Sequence, residues 1–264
     1  MSASKPHKAA MDDVVKGRFV RKPSAFRHKI SSEPGARFAP EPNRYRLYVS
    51  LACPWAHRCL ITRALKGLDE ILPVTVVHHY MGSEGWRFVT KDEENIPERC
   101  EPEPLFGFKK IRELYFHAEP EYDGRFTVPV LWDTKHNTIV NNESSEIIVM
   151  LNGLFNDYAK NPHINLYPDT MQEQINEVAE SFYNSFNNGV YRCGFAKTQE
   201  AYNEAFSELF GRLDILEEHL SKSRYLVGNS LTLADIRLFV TLIRFDAVYV
   251  LHFKNEQEAH HGLP

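Results

Sequence analysis

The chain has 264 residues, 43% of them apolar, and a formal net charge of -4 at pH 7. That length supplies one large or two ordinary domains with real cores, and the charge gives no general attraction to nucleic acid or to an anionic membrane, so small molecules are the expected partners. No apolar run approaches the roughly 18 residues that cross a bilayer, and the start carries Lys5, Lys8, Asp12 and Asp13 in place of a hydrophobic signal core. A cytoplasmic address is expected, in keeping with four cysteines (Cys53, Cys59, Cys100, Cys193) that show no disulfide framework.

Residues 1–44 are polar and Pro-rich with scattered aromatics (Phe19, Phe26, Phe38), which predicts an extended arm laid on the body. Residues 45–51 read as a strand, 55–65 as a helix, Gly67 as a turn and 74–77 as a second strand, the β-α-β start of an α/β unit. Pro54 stands where the first helical residue belongs, so Cys53 falls at or near the N-cap. There the unpaired amides and the positive end of the helix dipole face its sulfur, and Arg58 adds charge. A thiol pKa below the free value of about 8.5 is expected. A two-thiol redox motif needs cysteine at position 56, where this chain has Ala56, so Cys53 has to be resolved by an external thiol. Cys59 lies about 240° around the helix from it and reads as core packing. Cys53, His57, His78 and His79 lack the second close-spaced ligand pair of a zinc site, and no metal is expected.

Residues 81–123 are long and irregular for a connection, with Trp86 among many Pro and Glu and a helical pattern only at 108–116. Residues 126–132 and 138–140 then read as an antiparallel hairpin around 133–137. Pro129 interrupts its first strand, which favours a cis Val128–Pro129 bond. The run Glu143, Ser144, Ser145, Glu146 opens another helix. From residue 168 the pattern is helical throughout, with one stripe at Ile175, Val178, Phe182 and Phe186 and another at Ala205, Leu209, Leu213, Leu216 and Leu220. Thr232 and Asp235 form a capping box, which makes Asp235 a structural cap and not a catalytic acid. On these patterns alone Trp86 reads as packing, Arg125 as a surface cation, and Tyr191 and Tyr249 as two core residues among twelve tyrosines.

Several of these stretches taken together, namely SLACPWAHR at 50–58, Gly85-Trp86, DGRFTVPVLWD at 123–133, NESSE at 142–146 and NGVY at 188–191, resemble the Xi class of the cytosolic glutathione transferases, the glutathionyl-hydroquinone reductases. The resemblance runs over residues 19–254. It implies an α/β thioredoxin-like N-terminal domain with a mixed sheet, followed by an all-α glutathione-transferase C-terminal domain, in a homodimer. The expected layout is an extension over 1–44, a glutathione-binding domain over 45–160 carrying the 81–123 insertion, and a helical domain over 168–264. The resemblance implies glutathione as cosubstrate, held by Trp86, Arg125, Phe126, Thr127, Val128, Glu143 and Ser144. An extended tripeptide adds to the backbone at Val128, while a carboxylate and donors at a helix N-terminus take the two ends of its γ-glutamyl group. It further implies that Cys53 attacks the sulfur of an aromatic glutathionyl-hydroquinone, with Tyr191 as general acid and Tyr249 hydrogen-bonded to the thiolate.

The chain departs from that pattern at 255–264, where the family continues with further helices and another substrate-pocket tyrosine. An incomplete helical domain is therefore expected, with the apolar stripe around Leu238, Leu242 and Phe245 partly exposed and activity reduced. Two other readings follow: an Omega-like thioltransferase or dehydroascorbate reductase, which also uses a lone cysteine, and an inactive ligand-binding form.

Overall fold

The computed structural model describes residues 13–253. The expectations placed on residues 1–12 and on the 255–264 tail lie outside the described residues. The chain divides into two compact units, one of residues 23–165 and the other of residues 13–22 with 166–253.

The second unit begins with a ribbon of β1 (Val14–Val15) and β2 (Arg18–Phe19). Lys16 and Gly17 turn it, both at positive φ (50° and 79°), as a two-residue hairpin requires. A side chain at Gly17 would meet Thr198 Cγ2 at 2.7 Å, so glycine is needed for fit as well as for conformation.

In the first unit β3 (Tyr45–Val49) runs parallel to β4 (Val74–Val76) and antiparallel to β5 (Val130–Asp133), which pairs with β6 (Thr138–Asn141). The order β4-β3-β5-β6 is the expected mixed sheet. Between β3 and β4, α1 (Pro54–Lys66) packs on α3 (Ser144–Gly153), and Gly67 ends α1 in the left-handed conformation. The Val128–Pro129 bond is cis. The hairpin's first strand is shorter than its apolar run: the ladder starts at Val130, because Pro129 has no amide proton to give it.

The 81–123 stretch is held by side chains more than by a ladder. Buried Glu103 accepts from the amides of Leu105, Phe106 and Gly107 at 3.0, 2.7 and 2.9 Å and from the Tyr48 hydroxyl at 2.7 Å. Its helix α2 is Ile111–Ala118, not 108–116. Glu113 reaches back to the amides of Lys109 and Lys110, both at 2.7 Å, and so sets the start. Phe108 is left outside the helix, stacked on Phe106.

The second unit continues with α4 (Gln172–Phe182), α5 (Gly189–Gly194), α6 (Gln199–Lys222) and α7 (Leu233–Leu242). The first stripe buries Ile175, Phe182 and Phe186, with Ala179 taking the place expected of Val178. The helix widens at Tyr183–Asn187, the turn that carries Phe186. The second stripe buries Ala205, Leu209 and Leu216, while Leu213 is half-buried and Leu220 exposed in the last turn of α6. The Asp235 carboxylate accepts from the Thr232 amide at 2.8 Å and the Leu226 amide at 2.8 Å, the capping role read from the sequence. The stripe expected around Leu238, Leu242 and Phe245 is partly exposed, as read from the sequence. Leu238 is buried, since α7 packs on α4, Phe245 is half-buried, and Phe239, Leu242 and Ile243 are exposed. No helix among the described residues is long and apolar enough to cross a membrane.

Candidate active site

Cys53 is the N-cap of α1 in extended conformation (φ -83°, ψ 118°), followed by Pro54 and by no acidic residue in the first turn. Pro54 pre-sets the helical φ without wasting an amide, so the helix starts abruptly at the sulfur. The thiol is nearly buried and donates to the Val128 carbonyl oxygen at 3.5 Å, which joins the head of α1 to the residue before Pro129. Buried Arg58 lies with its guanidinium 4.5 Å from the Trp55 ring centroid and donates to Ser144 Oγ at 3.5 Å. Its charge therefore sits between the N-terminal turns of α1 and α3. Burial pushes the Cys59 thiol up, against the pull of Arg58, and pushes Cys193 up to about 12. Cys100, also raised by burial, donates to the Val77 carbonyl at 3.4 Å. Of the four cysteines only Cys53 heads a helix, and Cys59 is wholly buried, as its spacing implied.

Glu143 is the N-cap of α3 and accepts from the Ser145 amide at 3.1 Å and the Ser145 hydroxyl at 2.9 Å through Oε1. Its Oε2 accepts from the Ser24 hydroxyl at 2.9 Å. Its own amide is fixed by Asn141 Oδ1 at 2.7 Å. Ser144 is buried beside Arg58. The first unit thus brings Cys53 against Val128 and Arg58 against Ser144, next to Glu143. Trp86 and Arg125 are half-buried and are seated by their main chains: the Trp86 carbonyl accepts from the Ile111 amide at 3.0 Å, and the Arg125 carbonyl from the Tyr122 hydroxyl at 2.9 Å. Phe126 is buried among Tyr115, Phe116 and Tyr122. No group of three or more His, Cys, Asp or Glu among the described residues is arranged to hold a metal ion.

One residue of this site escaped sequence reasoning. Tyr115, wholly buried on α2, donates to the Thr127 carbonyl at 2.8 Å and accepts from the Thr127 amide at 3.2 Å and from Asn142 Nδ2 at 3.0 Å. Burial raises its pKa, against the pull of the Thr127 and Asn142 hydrogen bonds, so it stays a phenol able to give and take at once. It ties the residue before Val128 to the residue before Glu143. A tyrosine among so many aromatics carries no local signal of this, because its partners lie 12 and 27 positions away. Tyr115→Phe strips partners from buried polar groups, and a loss of about 1–3 kcal/mol in urea unfolding is expected.

Tyr191 and Tyr249 belong to the second unit. Tyr191 is on α5, Tyr249 is buried in the wide helical turn Phe245–Val250, and their ring centroids are 6.0 Å apart. Phe253 packs on both, at 5.4 and 5.2 Å.

A four-stranded mixed sheet with a thiol at the head of its first helix, against the carbonyl of the residue before a cis-proline, defines a thioredoxin-like unit, here joined to one that is helical apart from the β1–β2 ribbon. Residues 52–154 match the family model of the glutathione S-transferase N-terminal domain and residues 199–263 that of the C-terminal domain. The chain is 50% identical over 243 residues to the glutathione S-transferase omega-like 2 of Schizosaccharomyces pombe, covering 90% of this chain and 75% of that one. It is also 50% identical over 238 residues to the glutathionyl-hydroquinone reductase PcpF of Sphingobium chlorophenolicum, covering 90% and 72%. The Xi glutathione transferase ECM4 from Saccharomyces cerevisiae, solved in complex with glutathione, superposes with a TM-score of 0.84 at 40% identity, covering 89% of this chain and 82% of that one. The chain belongs to the glutathione transferase family, in its Xi class.

Proposed function

We propose that the chain is a glutathione-dependent oxidoreductase that reduces glutathionyl-hydroquinones to hydroquinones, forming oxidised glutathione through a mixed disulfide on Cys53. The observation that carries this reading is the lone thiol at the N-terminus of α1, against the Val128 carbonyl and with Ala56 in place of a second thiol. A monothiol of this kind exchanges with an external thiol and has no internal resolving partner.

The Cys53 thiolate attacks the sulfur of the aryl thioether. A disulfide forms between Cys53 and the glutathionyl group, the aryl carbon–sulfur bond breaks, and the ring carbon takes the electron pair and a proton. The ring is reduced by two electrons and the two sulfurs are oxidised together. A second glutathione thiolate then attacks the mixed disulfide, releasing oxidised glutathione and the Cys53 thiolate. Protonation at carbon calls for a general acid, the role given to Tyr191, with Tyr249 supporting the thiolate. Glutathione lies along Val128 with its glutamyl end at Glu143 and Ser144, and Trp86, Arg125, Phe126 and Thr127 complete the cradle. Its cysteinyl amide competes for the Val128 carbonyl that now accepts the Cys53 thiol proton. Loss of that acceptor disfavours the thiol form and promotes the thiolate as substrate binds. The same reading has the enzyme working in the cytoplasm as a homodimer.

The test is hydroquinone release from a glutathionyl-hydroquinone, followed by chromatography, with peptide mass spectrometry after a single turnover without added glutathione. Stoichiometric hydroquinone together with a glutathionyl adduct on Cys53 is expected; release with no adduct on Cys53 overturns the mechanism. A second reading, an Omega-like thioltransferase, draws on the lone cysteine and on the omega-like name of the S. pombe relative. Turnover of a small glutathione mixed disulfide, with none of the glutathionyl-hydroquinone, selects it.

A further inference from the structure

The ring of Tyr191 carries a cation that the reaction scheme does not use. Arg21, two residues past β2, places its guanidinium carbon 4.7 Å from the Tyr191 ring centroid and 5.3 Å from that of Phe19. Phe19 and Tyr191 are themselves stacked at 6.4 Å and 28°. The guanidinium is held by a donated hydrogen bond, Arg21 Nε to Asn188 Oδ1 at 2.7 Å. Asn188 is the N-cap of α5, and its carbonyl accepts from the Tyr191 amide at 3.1 Å. Asn188 thus fixes the tyrosine's main chain through its carbonyl and the charge over its ring through its side chain. The segment bearing Arg21 is itself anchored: Arg18 pairs with Glu200 and Glu204 of α6 at 3.1 and 2.6 Å, and the Gly17 carbonyl accepts from the Lys197 amide at 2.9 Å.

We infer that Arg21 is a positioning residue that makes Tyr191 a stronger acid. A guanidinium held over the face of a phenol is attracted to the ring, and it favours the phenolate left behind when the proton moves to the substrate carbon. The other charged and titratable groups around Tyr191 are differently engaged. Arg192, beside it on α5, pairs with Glu208 and Glu204 of α6. Tyr249 meets the ring edge-on, and Asp246 and His252 of the same turns are exposed. Among the described residues Arg21 is the cation on the ring face. This role rests on the proposed function, in which Tyr191 protonates the ring carbon.

The test compares the parent chain with Arg21→Met and Arg21→Lys, both checked for fold by circular dichroism. Two readouts are taken. The first is an absorbance titration of Tyr191, obtained as the difference from Tyr191→Phe in each background. The second is the separate rates of hydroquinone release and of mixed-disulfide regeneration by glutathione. Arg21→Met is expected to move the Tyr191 midpoint up by about one pH unit and to slow hydroquinone release about tenfold, leaving regeneration, which protonates no carbon, unchanged. Arg21→Lys keeps the charge and is expected to recover most of both. Coincident midpoints in all three proteins overturn the inference, as does an equal slowing of both steps, which is what lost structure gives. Absence of turnover in the parent chain strikes the reductase reading instead, and the titration still decides whether Arg21 acts on Tyr191.

Discussion

Cys53→Ala is expected to reduce hydroquinone release by more than about a thousandfold while leaving the chain folded. In the proposed mechanism the sulfur is the atom that forms the new bond, and no neighbouring group replaces a missing nucleophile. The stability cost is small, since Cys53 makes no side-chain cap hydrogen bond to α1 and the substitution deletes a single sulfur atom whose hydrogen bond to the Val128 carbonyl is long, at 3.5 Å. Cys53→Ser sharpens the test. Serine at an N-cap accepts from the amides of the first turn and adds roughly 1 kcal/mol to helix stability, but its hydroxyl is not ionised near neutral pH and forms no disulfide. The serine variant is therefore expected to melt at or above the parent's temperature and to be as inactive as the alanine variant. Scanning calorimetry beside the release assay checks both signs. Retained activity in either variant removes Cys53 from the mechanism. Under the proposed mechanism the position trades a good cap for a nucleophile, a local rule broken at a reactive site. The buried Cys59 and Cys193 thiols, both raised by burial, are expected to stay unlabelled by iodoacetamide at neutral pH while Cys53 reacts.

What was legible in the sequence was chemistry that acts over a few residues. Pro54 fixes the start of α1 and Gly67 its end, Pro129 stops the ladder of β5, and Asp235 closes the box at Thr232. Each involves partners within one turn, so spacing alone reveals them. The start of α2 misled for the same reason in reverse: Phe108 continues an apolar pattern, but Glu113 draws the amides of Lys109 and Lys110 into a cap and excludes it. Of the expected stripe Leu242 is exposed and Phe245 half-buried, but packing of α7 on α4 buries Leu238, because periodicity gives a face without saying which neighbour it meets. The long-range connections within each unit were not legible. Tyr115 to Thr127 and Asn142, Arg58 to Ser144, and Arg21 to Asn188 span 12 to 167 positions. Only the fold brings such partners together, and the residue types involved are common.

The largest stability effect is expected at a pair of this long-range kind, Arg44 and Asp133. Asp133, wholly buried at the end of β5, accepts from Arg44 Nε at 2.9 Å and Nη2 at 2.8 Å, and from the Lys135 amide at 3.0 Å, with His136 Nδ1 2.6 Å from Oδ2. Arg44, 4% exposed at its side chain, also donates to the Arg37 carbonyl at 2.6 Å and to Glu41 at 2.7 Å. This guanidinium joins the segment before β3 to the β5 hairpin. Asp133→Ala leaves the guanidinium buried without its bidentate partner, and a loss of about 3–5 kcal/mol is expected, a large part of the 5–15 kcal/mol typical of a folded chain. Arg44→Met with Asp133→Leu removes both charges and is expected to recover much of that loss, because the cost lies in stranding one charge and not in lacking the pair. The pair also sets the acid limit. Burial pushes the Asp133 carboxyl up, but the hydrogen bonds from Arg44, His136 and the Lys135 amide outweigh it and hold its pKa below the ordinary value. A depressed carboxylate contributes stability that is present above the unfolded pKa of about 3.9 and is lost as pH falls through the lower folded value. Urea unfolding of the parent is therefore expected to weaken steeply below about pH 4, and the double variant to show a shallower acid limb. Parallel acid limbs in the two proteins would place the acid sensitivity elsewhere, with Glu146, held low by Arg27, the next carboxylate to replace.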